Sequence, residues 1–311
     1  MTSLETTLQA IVGRERVHAN APLAPLTTFK VGGPADWLVE TRASDEVRAV
    51  LLVANDAGVP VIVLGGGSNL LIADAGIRGI VIRVRGGEVR PAGENVVRAD
   101  AGVTINGLVR WTISHALSGV ELWAGTPGTV GGAIYGNAHF RGQNIGDLVS
   151  RTGVVTLEGT PLELDTSEMA IANDASRLQR TREILLWAEF RVRPGDPASL
   201  REIARESLAY RKRSQPLNLP SAGCIFQNPD PSVDRLPPGV PSSAGALVDR
   251  AGLKGFAIGA ARVSSTHANF IVNDGGSTAA EIRALVDLCK LKVRERFGIE
   301  LKEEIVCLGE F

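Results

Sequence analysis

Two uncharged, glycine-rich segments constrain the fold of this 311-residue chain more than any other feature. The first, Gly65-Gly66-Gly67-Ser68-Asn69, directly follows the run Val59–Leu64, which is typical of a short buried strand. Without side chains, successive backbone amides can approach an anion closely, and Ser68 and Asn69 add hydrogen-bonding groups. One glycine would often be enough for a tight turn, so three in a row favour a phosphate-binding loop.

The second segment, Gly125 to Ala133, is also rich in glycine and uncharged. No lysine follows either segment as it does in a P-loop, and Leu70 stands where the usual dinucleotide fingerprint has its last glycine. Two such loops indicate one long ligand whose diphosphate is held by main-chain amides, and FAD fits that description. For either loop alone, a surface turn is the alternative. The candidate cofactor-binding residues are Gly65, Gly66, Gly67, Ser68, Asn69, Gly125, Thr126, Pro127, Gly128, Gly131 and Gly132.

Composition narrows the classes of protein further. The formal net charge is -1, with 22% charged and 44% hydrophobic residues, which is ordinary for a soluble globular protein and does not favour nucleic-acid binding. No apolar stretch approaches the roughly 20 residues that span a bilayer, and the N-terminal residues do not resemble a signal peptide, so a cytoplasmic protein is expected. The three cysteines are far apart in sequence, which favours reduced thiols, and no Cys/His spacing indicates a metal site.

Helix and strand signals alternate along the first two thirds of the chain. Ser44 and the acidic residues after it predict a helix that begins with a Ser44 cap and ends at Gly58. A helix is also expected from Thr104 to about Leu117. β-branched runs predict strands from Gly153 to Leu164 and from Ile184 to Val192. These patterns favour an α/β region before Pro194.

The part of the chain after Pro194 is predicted to form an α+β unit. A linker signal at Pro194–Pro197 is followed by a Ser199/Glu202 pair that predicts a capping box and a helix to about Arg213. A second box at Thr278 and Glu281 opens another predicted helix, which carries an apolar stripe on one face: Ile282, Leu285, Val286, Cys289 and Val293. Leu301 to Leu308 is predicted to be a closing strand.

Three features outside the glycine loops are candidates for chemistry. Cys224 can donate a proton or act as a nucleophile, although a lone cysteine is more often a small core residue. Glu304 lies on the predicted closing strand among apolar residues, where a carboxyl group can hold a proton; a solvated carboxylate is the commoner case. The basic run Arg211–Arg213 can meet a ligand diphosphate, or it can simply be a solvated helix end.

Taken together, these segments resemble the UDP-N-acetylenolpyruvoylglucosamine reductase family, in the type that lacks an extra tyrosine loop. The likeness covers nearly the whole chain, and its specificity comes from the order and spacing of the matching pieces rather than from any one of them. The matching segments are Leu26 to Ala35, Gly65 to Leu70, Gly125 to Asn137, Pro220 to Pro229, Ala244 to Gly259, His267 to Asn273 and Phe297 to Ile305.

The resemblance implies an α+β protein with a p-cresol methylhydroxylase-type FAD-binding domain of two α/β subdomains and a C-terminal substrate-binding domain. The implied division is residues 1–67 with 298–311, residues 68–197, and residues 198–297. It also implies non-covalent FAD and a ping-pong cycle. In that cycle NADPH reduces the flavin, which then reduces UDP-N-acetylglucosamine enolpyruvate to UDP-N-acetylmuramate for peptidoglycan synthesis. A monomer is expected.

Residue roles follow from the same resemblance. Cys224 stands where most relatives have the serine that donates a proton, and a thiol is a better acid than an alcohol. Glu304 matches the carboxylic acid that stabilises the enolic intermediate. The substrate-binding candidates are Asn228 and Lys254, with Arg213 as a possible further cation.

The main departure from the family concerns a Tyr-Arg pair whose arginine polarises the substrate carboxylate. Asn173 and Asp174 align with that pair, and an acid there has the wrong sign for stabilising a developing negative charge. His139 stands where glycine is expected, Thr126 where isoleucine is expected, and Gln227 where lysine is common.

Several accounts of this departure stay open. A neighbouring Arg177, Arg180 or Arg182, or the more distant Arg213, can supply the missing charge. Alternatively, the chain binds flavin but turns over poorly. Another FAD-linked oxidoreductase of the same fold is a further alternative.

Overall fold

A computed structural model describes residues 3–172, 174–234, 236 and 238–311. The chain divides into two compact units. The first unit comprises Met1–Ala21, Asp36–Gly66 and Arg78–Tyr210, and the second comprises Pro22–Ala35, Gly67–Ile77 and Arg211–Phe311. Across the described ranges, no helix combines the length and the apolar character needed to cross a membrane.

Eight α-helices and eighteen strands lie in the described parts of the chain. The helices are α1 Ser3–Val12, α2 Ser44–Asp56, α3 Ile105–Ser114, α4 Val130–Tyr135, α5 Leu178–Thr181, α6 Pro197–Ser214, α7 Ala244–Arg250 and α8 Ala279–Phe297. The strands are β1 Val17–Pro22, β2 Pro34–Thr41, β3 Val61–Leu64, β4 Leu70–Ile72, β5 Ile77–Val84, β6 Val89–Gly93, β7 Val96–Asp100, β8 Leu117–Ser118, β9 His139–Phe140, β10 Gln143–Asn144, β11 Val149–Val155, β12 Pro161–Asp165, β13 Ile184–Arg191, β14 Arg193–Pro194, β15 Ala257–Ile258, β16 Ala261–Val263, β17 Ile271–Asn273 and β18 Val306–Leu308.

The first unit is built on two larger sheets. One has the strand order β1-β2-β5-β3, with β3 and β5 parallel, and its apolar residues form a core with α1 and α2. The other is antiparallel in the order β12-β11-β13-β7-β6 and contributes to a second core with α3 and α4. Helix α4 therefore begins beside a sheet and within the second glycine-rich segment, which fixes that segment on a packed scaffold.

Local signals in the first unit are partly confirmed. The helix predicted from Ser44 is present, but Ser44 is its first helical residue and the cap position, Ala43, makes no side-chain cap. Instead, the carboxylate of Glu46 accepts a hydrogen bond from the Arg42 amide at 2.7 Å. The helix predicted from Thr104 to about Leu117 is present as α3, but it ends earlier, at Ser114, and Thr104 is its cap, accepting from the Gly107 amide at 3.0 Å.

The single strand predicted from Gly153 to Leu164 is wrong. The structure has a hairpin of β11 and β12 there, paired in the register Thr152↔Leu164 and Val155↔Pro161. The turn between them places Gly159 at φ 84, a left-handed conformation that glycine adopts without strain. The Gly-Thr-Pro sequence was therefore a turn signal rather than the interior of one strand.

The second unit packs α7 and α8 around small sheets. Its antiparallel sheet has the order β15-β16-β17, and β18 pairs in parallel with β4. The predicted Thr278/Glu281 capping box is confirmed, and both carboxylate oxygens of Asp74 accept from the amides of Ala279 and Ala280 at about the same distance. The apolar stripe predicted for α8 is buried, and it consists of Ile282, Leu285, Val286, Cys289 and Val293.

Two predicted boundaries toward the C-terminus need correction. Helix α6 begins at Pro197, because the Asp196 carboxylate accepts from the Ser199 amide at 2.9 Å, so the Ser199/Glu202 capping box is wrong. The strand predicted from Leu301 is shorter than expected and begins at Val306. Glu303 and Glu304 precede it in an extended segment whose only bridge among the described residues joins Phe226 to Glu303.

Candidate active site

The first unit brings parts of the two glycine-rich segments into direct backbone contact. A Cβ atom on Gly66 would lie 2.5 Å from the Gly128 Cα, and one on Gly65 would lie 2.5 Å from the Thr129 hydroxyl oxygen. Real Cβ atoms do not approach other atoms this closely, so only glycine fits at either position. Two loops from distant parts of the sequence thus meet as a single main-chain surface, which is what one diphosphate held by both loops requires.

Hydrogen bonds fix the second loop in place. The side chain of Asn106 accepts from the Gly125 amide at 2.8 Å and donates to the Thr126 carbonyl at 3.2 Å. Gly125 and Gly128 adopt φ values of 82 and 106, which are left-handed conformations. The loop is therefore preorganised by a side chain that the sequence patterns did not single out, and Thr126 joins that frame through its backbone.

Gly131 and Gly132 lie in the first turn of α4. The Gly131 amide donates to the Ala101 carbonyl at 2.9 Å, and the Gly132 amide donates to the Thr129 hydroxyl at 3.4 Å. Both amides are therefore engaged within the protein, and the absence of side chains at these two positions leaves the start of the helix uncovered. Their part in binding a cofactor stays a prediction.

We expect Gly66→Ala to reduce both flavin retention and stability. The added methyl group must displace the Gly128 backbone, which has no flexible side chain to yield, and overpacking of this kind costs about 1–3 kcal/mol. The FAD content of the purified protein and its thermal unfolding midpoint measure the two effects. Gly136→Ala is the matched control, since its Cβ would meet nothing closer than 3.9 Å. Equal flavin content in the two variants would contradict the role given to Gly66.

In the second unit, the first segment continues as Gly67, Ser68 and Asn69. Gly67 has φ 64, and its carbonyl accepts from the Thr28 amide at 3.0 Å, which ties the loop to the residues around Phe29. The Asn69 side chain donates to the Glu304 carbonyl at 2.9 Å, and the Val306 amide donates to the Asn69 carbonyl at 3.0 Å. Asn69 therefore fixes the backbone on both sides of Ile305 and holds Glu304 in place.

Cys224 and Glu304, the two predicted acids, lie on neighbouring backbone segments of the second unit. The Glu304 amide donates to the Ile225 carbonyl at 2.8 Å, and the Gln227 amide donates to the Lys302 carbonyl at 2.9 Å. Ile225 is fully buried, whereas Cys224 and Glu304 are both half-buried. The backbone thus anchors both candidates beside an apolar core without enclosing either one fully.

A buried side-chain amide supports the other side of this segment. Asn269 is buried, and its side chain both accepts from the Phe226 amide at 3.0 Å and donates to the Phe226 carbonyl at 2.8 Å. The Asn269 carbonyl accepts from the Ile225 amide at 2.8 Å. This bidentate arrangement positions the residues after Cys224, and only the segment match from His267 to Asn273 had pointed to it.

Arg211 is the residue of the basic run that meets Cys224. It is buried, whereas Lys212 and Arg213 are exposed. Burial lowers the pKa of the Arg211 guanidinium to about 10, and the Cys224 sulfur opposes that change electrostatically. Arg211 thus places a buried guanidinium within electrostatic reach of the Cys224 sulfur. The sequence placed the three basic residues together but did not show which of them faces inward.

The remaining predicted substrate residues lie on the surface of the second unit. Asn228 is exposed, and its side-chain oxygen accepts from the Ala244 amide at 3.0 Å at the start of α7. Lys254 is exposed and pairs with Asp249 at 3.1 Å. Arg213 is exposed near the end of α6. Exposure leaves Asn228, Lys254 and Arg213 accessible to a large polar ligand.

Glu303, beside the candidate acid, has a structural role. Hydrogen bonds from Arg283 and also from Lys290 lower the pKa of the Glu303 carboxyl from 4.5 to about 2, against the opposing effect of burial. Arg283 approaches it at 2.7 Å and Lys290 at 2.8 Å. Of the two adjacent glutamates, Glu303 is therefore ionised and is held in ion pairs with Arg283 and Lys290.

We expect Glu303→Gln to destabilise the protein by up to about 3 kcal/mol near neutral pH, because a pKa lowered by ~2 units corresponds to that order of free energy. The folded pKa lies below the unfolded value. The stabilisation is therefore present above about pH 4.5 and is lost as the pH falls toward 2. Denaturant unfolding at several pH values measures it. Glu300→Gln is the control, since its pair with Arg294 is 3.5 Å long and exposed; equal losses in both variants would contradict the assignment.

Asp174 forms an ion pair in the first unit. Its Oδ1 lies 3.0 Å from Nδ1 of His139, so the acid that aligns with the family arginine faces an imidazole. Asn173, its predicted companion, lies outside the described residues. Arg177 is bound to Glu183 through two hydrogen bonds of 2.9 Å, and Arg180 and Arg182 are exposed. The His139–Asp174 pair could not be predicted from the sequence, because its members are 35 positions apart and no local pattern joins them.

Comparisons with known proteins agree with this geometry. A family model described as an FAD binding domain matches residues 35–165, and one described as the UDP-N-acetylenolpyruvoylglucosamine reductase C-terminal domain matches residues 215–308. Together with the converging glycine loops, the first match defines a flavoprotein of the FAD-binding class, and FAD is its cofactor. The second match indicates which flavoprotein family is involved.

Full-length relatives identify that family. Reductases of this name from Heliobacterium modesticaldum and Bacillus subtilis are 39% and 37% identical, over 93% and 98% of this chain and 90% and 99% of their own lengths. The crystal structure of the Thermus caldophilus enzyme (MurB) superposes with a TM-score of 0.77 at 30% identity, covering 94% of this chain and 98% of that one. The chain belongs to the UDP-N-acetylenolpyruvoylglucosamine reductase family.

A more distant likeness concerns the fold alone. A Phl p 4 variant, described as a glucose oxidase, superposes with a TM-score of 0.51 at 15% identity over 63% of this chain. With the two family models, this confirms the predicted fold class, an FAD-binding domain of the p-cresol methylhydroxylase type followed by an α+β domain.

Proposed function

We propose that this chain reduces the enolpyruvyl double bond of UDP-N-acetylglucosamine enolpyruvate to give UDP-N-acetylmuramate, with NADPH as the reductant, in peptidoglycan precursor synthesis. Bound FAD supplies the hydride transfer that connects NADPH with the sugar nucleotide. The net reaction adds one hydride and one proton across the double bond. The chain's own residues must therefore hold the cofactor, bind an anionic sugar nucleotide and deliver a proton.

Cys224 is the proton donor in this proposal. Addition of hydride to the terminal carbon leaves negative charge on the carbon that bears the ether oxygen, and this charge is shared with the substrate carboxylate. The Cys224 Sγ–H transfers its proton to that carbon, and the resulting thiolate is stabilised by the buried Arg211 guanidinium. Solvent returns the proton to sulfur before the next cycle.

Glu304 supports the same step from the neighbouring segment. Its carboxyl group, when protonated, donates a hydrogen bond to the substrate carboxylate as charge accumulates there. Asn69 and the Ile225 carbonyl hold its backbone, so little reorganisation is needed during the reaction. Asn228, Lys254 and Arg213 are assigned to the sugar nucleotide, the two cations to its diphosphate.

One observation carries the proposal beyond family membership. The hydrogen bond of 2.8 Å between the Glu304 amide and the Ile225 carbonyl places the two predicted acids on adjacent backbone segments, although 80 positions separate them in sequence. A pairing of this kind is needed for two acids that act on one enolpyruvyl group. Glu304 also differs from its neighbour Glu303, whose carboxylate is held in ion pairs and is not available as an acid.

The test is NADPH oxidation under anaerobic conditions, with and without the enolpyruvyl sugar nucleotide. We expect catalytic NADPH consumption only when the substrate is present, together with a product whose mass has increased by two hydrogen atoms. UDP-N-acetylglucosamine, which lacks the double bond, is the matched control and must not support turnover. Sustained NADPH oxidation in air without the sugar nucleotide would instead identify an oxidase of the same fold.

The other expectations belong to this proposal as well. A cytoplasmic location agrees with the use of NADPH, and we expect a monomer that needs neither nucleic acid nor a membrane. The division into residues 1–67 with 298–311, 68–197 and 198–297 remains a prediction about domains. Limited proteolysis in the presence and absence of the sugar nucleotide tests whether residues 198–297 respond to substrate as a unit.

A further inference from the structure

The His139–Asp174 pair has the layout of a charge-oriented histidine. The Asp174 side chain is only 13% exposed, whereas the His139 side chain is 41% exposed. The carboxylate thus lies behind the ring and approaches Nδ1, which directs Nε2 away from Asp174. A carboxylate in this position fixes the orientation of an imidazole and stabilises its protonated, positively charged form.

The surrounding backbone shows that this pair is built into the fold. Asn137 is buried with φ 44, and its side chain donates to the Ala172 carbonyl at 2.7 Å and accepts from the Gly146 amide at 3.1 Å. A bridge joins Ala172 to Ala175, so Asp174 lies in a closed turn. Asp174 itself adopts φ 53, a left-handed conformation that is uncommon for residues other than glycine.

A second tie joins the Asp174 turn to helix α4. The Ser176 hydroxyl donates to the Tyr135 carbonyl at 2.8 Å, and the Gln179 side chain donates to the carbonyls of both Tyr135 and Asp174 at 3.0 Å. His139 follows the same helix on its C-terminal side. Helix α4 has six residues, is about 9 Å long, and begins within the second glycine-rich segment. The imidazole is therefore placed rigidly relative to part of the cofactor-binding surface of the first unit.

We propose that His139, oriented by Asp174, binds the carboxylate of the enolpyruvyl substrate and replaces the arginine that relatives use for this purpose. The inference rests on the proposed function and deepens it. The Nε2–H donates a hydrogen bond to the substrate carboxylate, whose negative charge grows as hydride adds. No bond to His139 forms or breaks, and the proton that completes the reaction comes from Cys224. His139 is thus a catalytic residue by contact, and Asp174 is a positioning residue.

This assignment resolves the apparent conflict of sign at position 174. An isolated aspartate would repel the developing carboxylate charge, but the Asp174 carboxylate lies 3.0 Å from the His139 imidazole, and a protonated ring at that distance offsets its charge. Arg177, the nearest alternative in sequence, is held by both oxygens of Glu183. The chain therefore differs from the family pattern at two linked positions. It has a histidine in place of glycine and an acid in place of arginine, and each replacement accounts for the other.

The test separates the two half-reactions in stopped-flow experiments on the FAD-loaded enzyme. We expect His139→Ala to slow reoxidation of the reduced flavin by the enolpyruvyl sugar nucleotide by about 10²–10³-fold, which is typical for loss of one charge-stabilising donor. Flavin reduction by NADPH should stay within about twofold of the wild-type rate, as expected for a group that contacts only the second substrate. Asp174→Asn, which keeps the size of the side chain but removes its charge, should show a smaller loss of the same kind. His115→Ala, which removes an exposed histidine of the same unit that stacks on Trp111, is the control.

Two further measurements distinguish substrate contact from a structural role. The imidazole resonances of His139, assigned with the His139→Gln variant, should shift when the sugar nucleotide binds to the oxidised enzyme. The double variant His139→Gly with Asp174→Arg restores the family arrangement, and it should reoxidise faster than His139→Gly alone. If His139→Ala fails to retain flavin, His139→Gln serves in its place.

The outcomes are distinguishable. Normal reoxidation of the flavin in His139→Ala or His139→Gln, together with normal reoxidation in the wild type, overturns this inference alone. Resonances of His139 that do not respond to saturating sugar nucleotide overturn it as well. If the wild-type flavin is reduced by NADPH but is not reoxidised by the sugar nucleotide, the proposed function fails and the inference fails with it.

Discussion

Replacing Cys224 with alanine is expected to slow reoxidation of the reduced flavin by the sugar nucleotide by about 10²–10⁴-fold, the usual contribution of a positioned general acid. The rate of flavin reduction by NADPH should remain unchanged, because that half-reaction needs no proton from the protein. Rapid-mixing experiments that follow the flavin spectrum in each half-reaction measure both rates. A selective loss of this kind identifies a proton donor rather than a residue needed for folding.

The structure gives physical reasons for choosing this cysteine among the three. Cys289 is buried within α8, and burial raises the pKa of its thiol to about 12, which makes it a core residue. Cys307 lies beside Arg283 and Glu303 in β18, and burial raises the pKa of its thiol as well. Cys224 is half-buried and interacts with the buried Arg211, so it combines access with a neighbouring positive charge.

Two variants make the prediction for Cys224 specific. Cys224→Ser keeps a donor of the type found in most relatives, and we expect it to retain activity within about tenfold of the wild type, since a weaker acid still supplies a proton. Cys307→Ala, which removes another half-buried thiol of the second unit, should reoxidise its flavin at the normal rate. Unchanged turnover in Cys224→Ala, or equal losses in Cys224→Ala and Cys307→Ala, would contradict the assignment.

Features written in short stretches of sequence were predictable. The capping box at Thr278 and Glu281 and the apolar stripe of α8 appear as expected, because a cap and a 3.6-residue period need only neighbouring residues. The strand before Gly65 likewise follows from a local pattern. The errors have local causes too, because Gly159 is a turn residue by type and Asp196 is a helix-capping residue by type.

Features that depend on long-range pairing were not predictable from patterns. The sequence showed the glycines of both loops, but not that Gly66 packs directly on Gly128. It showed three basic residues at the end of α6, but not that Arg211 is the buried one. The sequence showed that position 174 carries a negatively charged residue where relatives have an arginine, but it did not show that His139 lies 3.0 Å from that carboxylate. In each case the missing information is a tertiary contact, which propensity and periodicity do not encode.

Glu304→Gln is expected to produce the second large effect, a loss of about 10²–10⁴-fold in reoxidation of the flavin by the sugar nucleotide. Glutamine preserves the size of the side chain and one donor, but its amide N–H is a weaker hydrogen-bond donor than a carboxylic acid toward the charge that grows on the substrate carboxylate. The backbone hydrogen bonds of Glu304 with Ile225 and Asn69 do not involve its carboxyl group, so the fold and the flavin content should be retained. The same two half-reactions measure the effect.

Glu303 supplies a matched control at the adjacent position. Its carboxylate is bound by Arg283 and Lys290, so Glu303→Gln should reduce stability while the folded fraction reoxidises its flavin normally. Glu304→Gln should show the reverse, with stability close to wild type and the second half-reaction impaired. A slow reduction of flavin by NADPH in Glu304→Gln would contradict the role proposed for it. The backbone pairing leads us to expect opposite effects at these two neighbouring glutamates. Normal reoxidation in Glu304→Gln would therefore contradict its role and assign the stabilisation of charge to other groups.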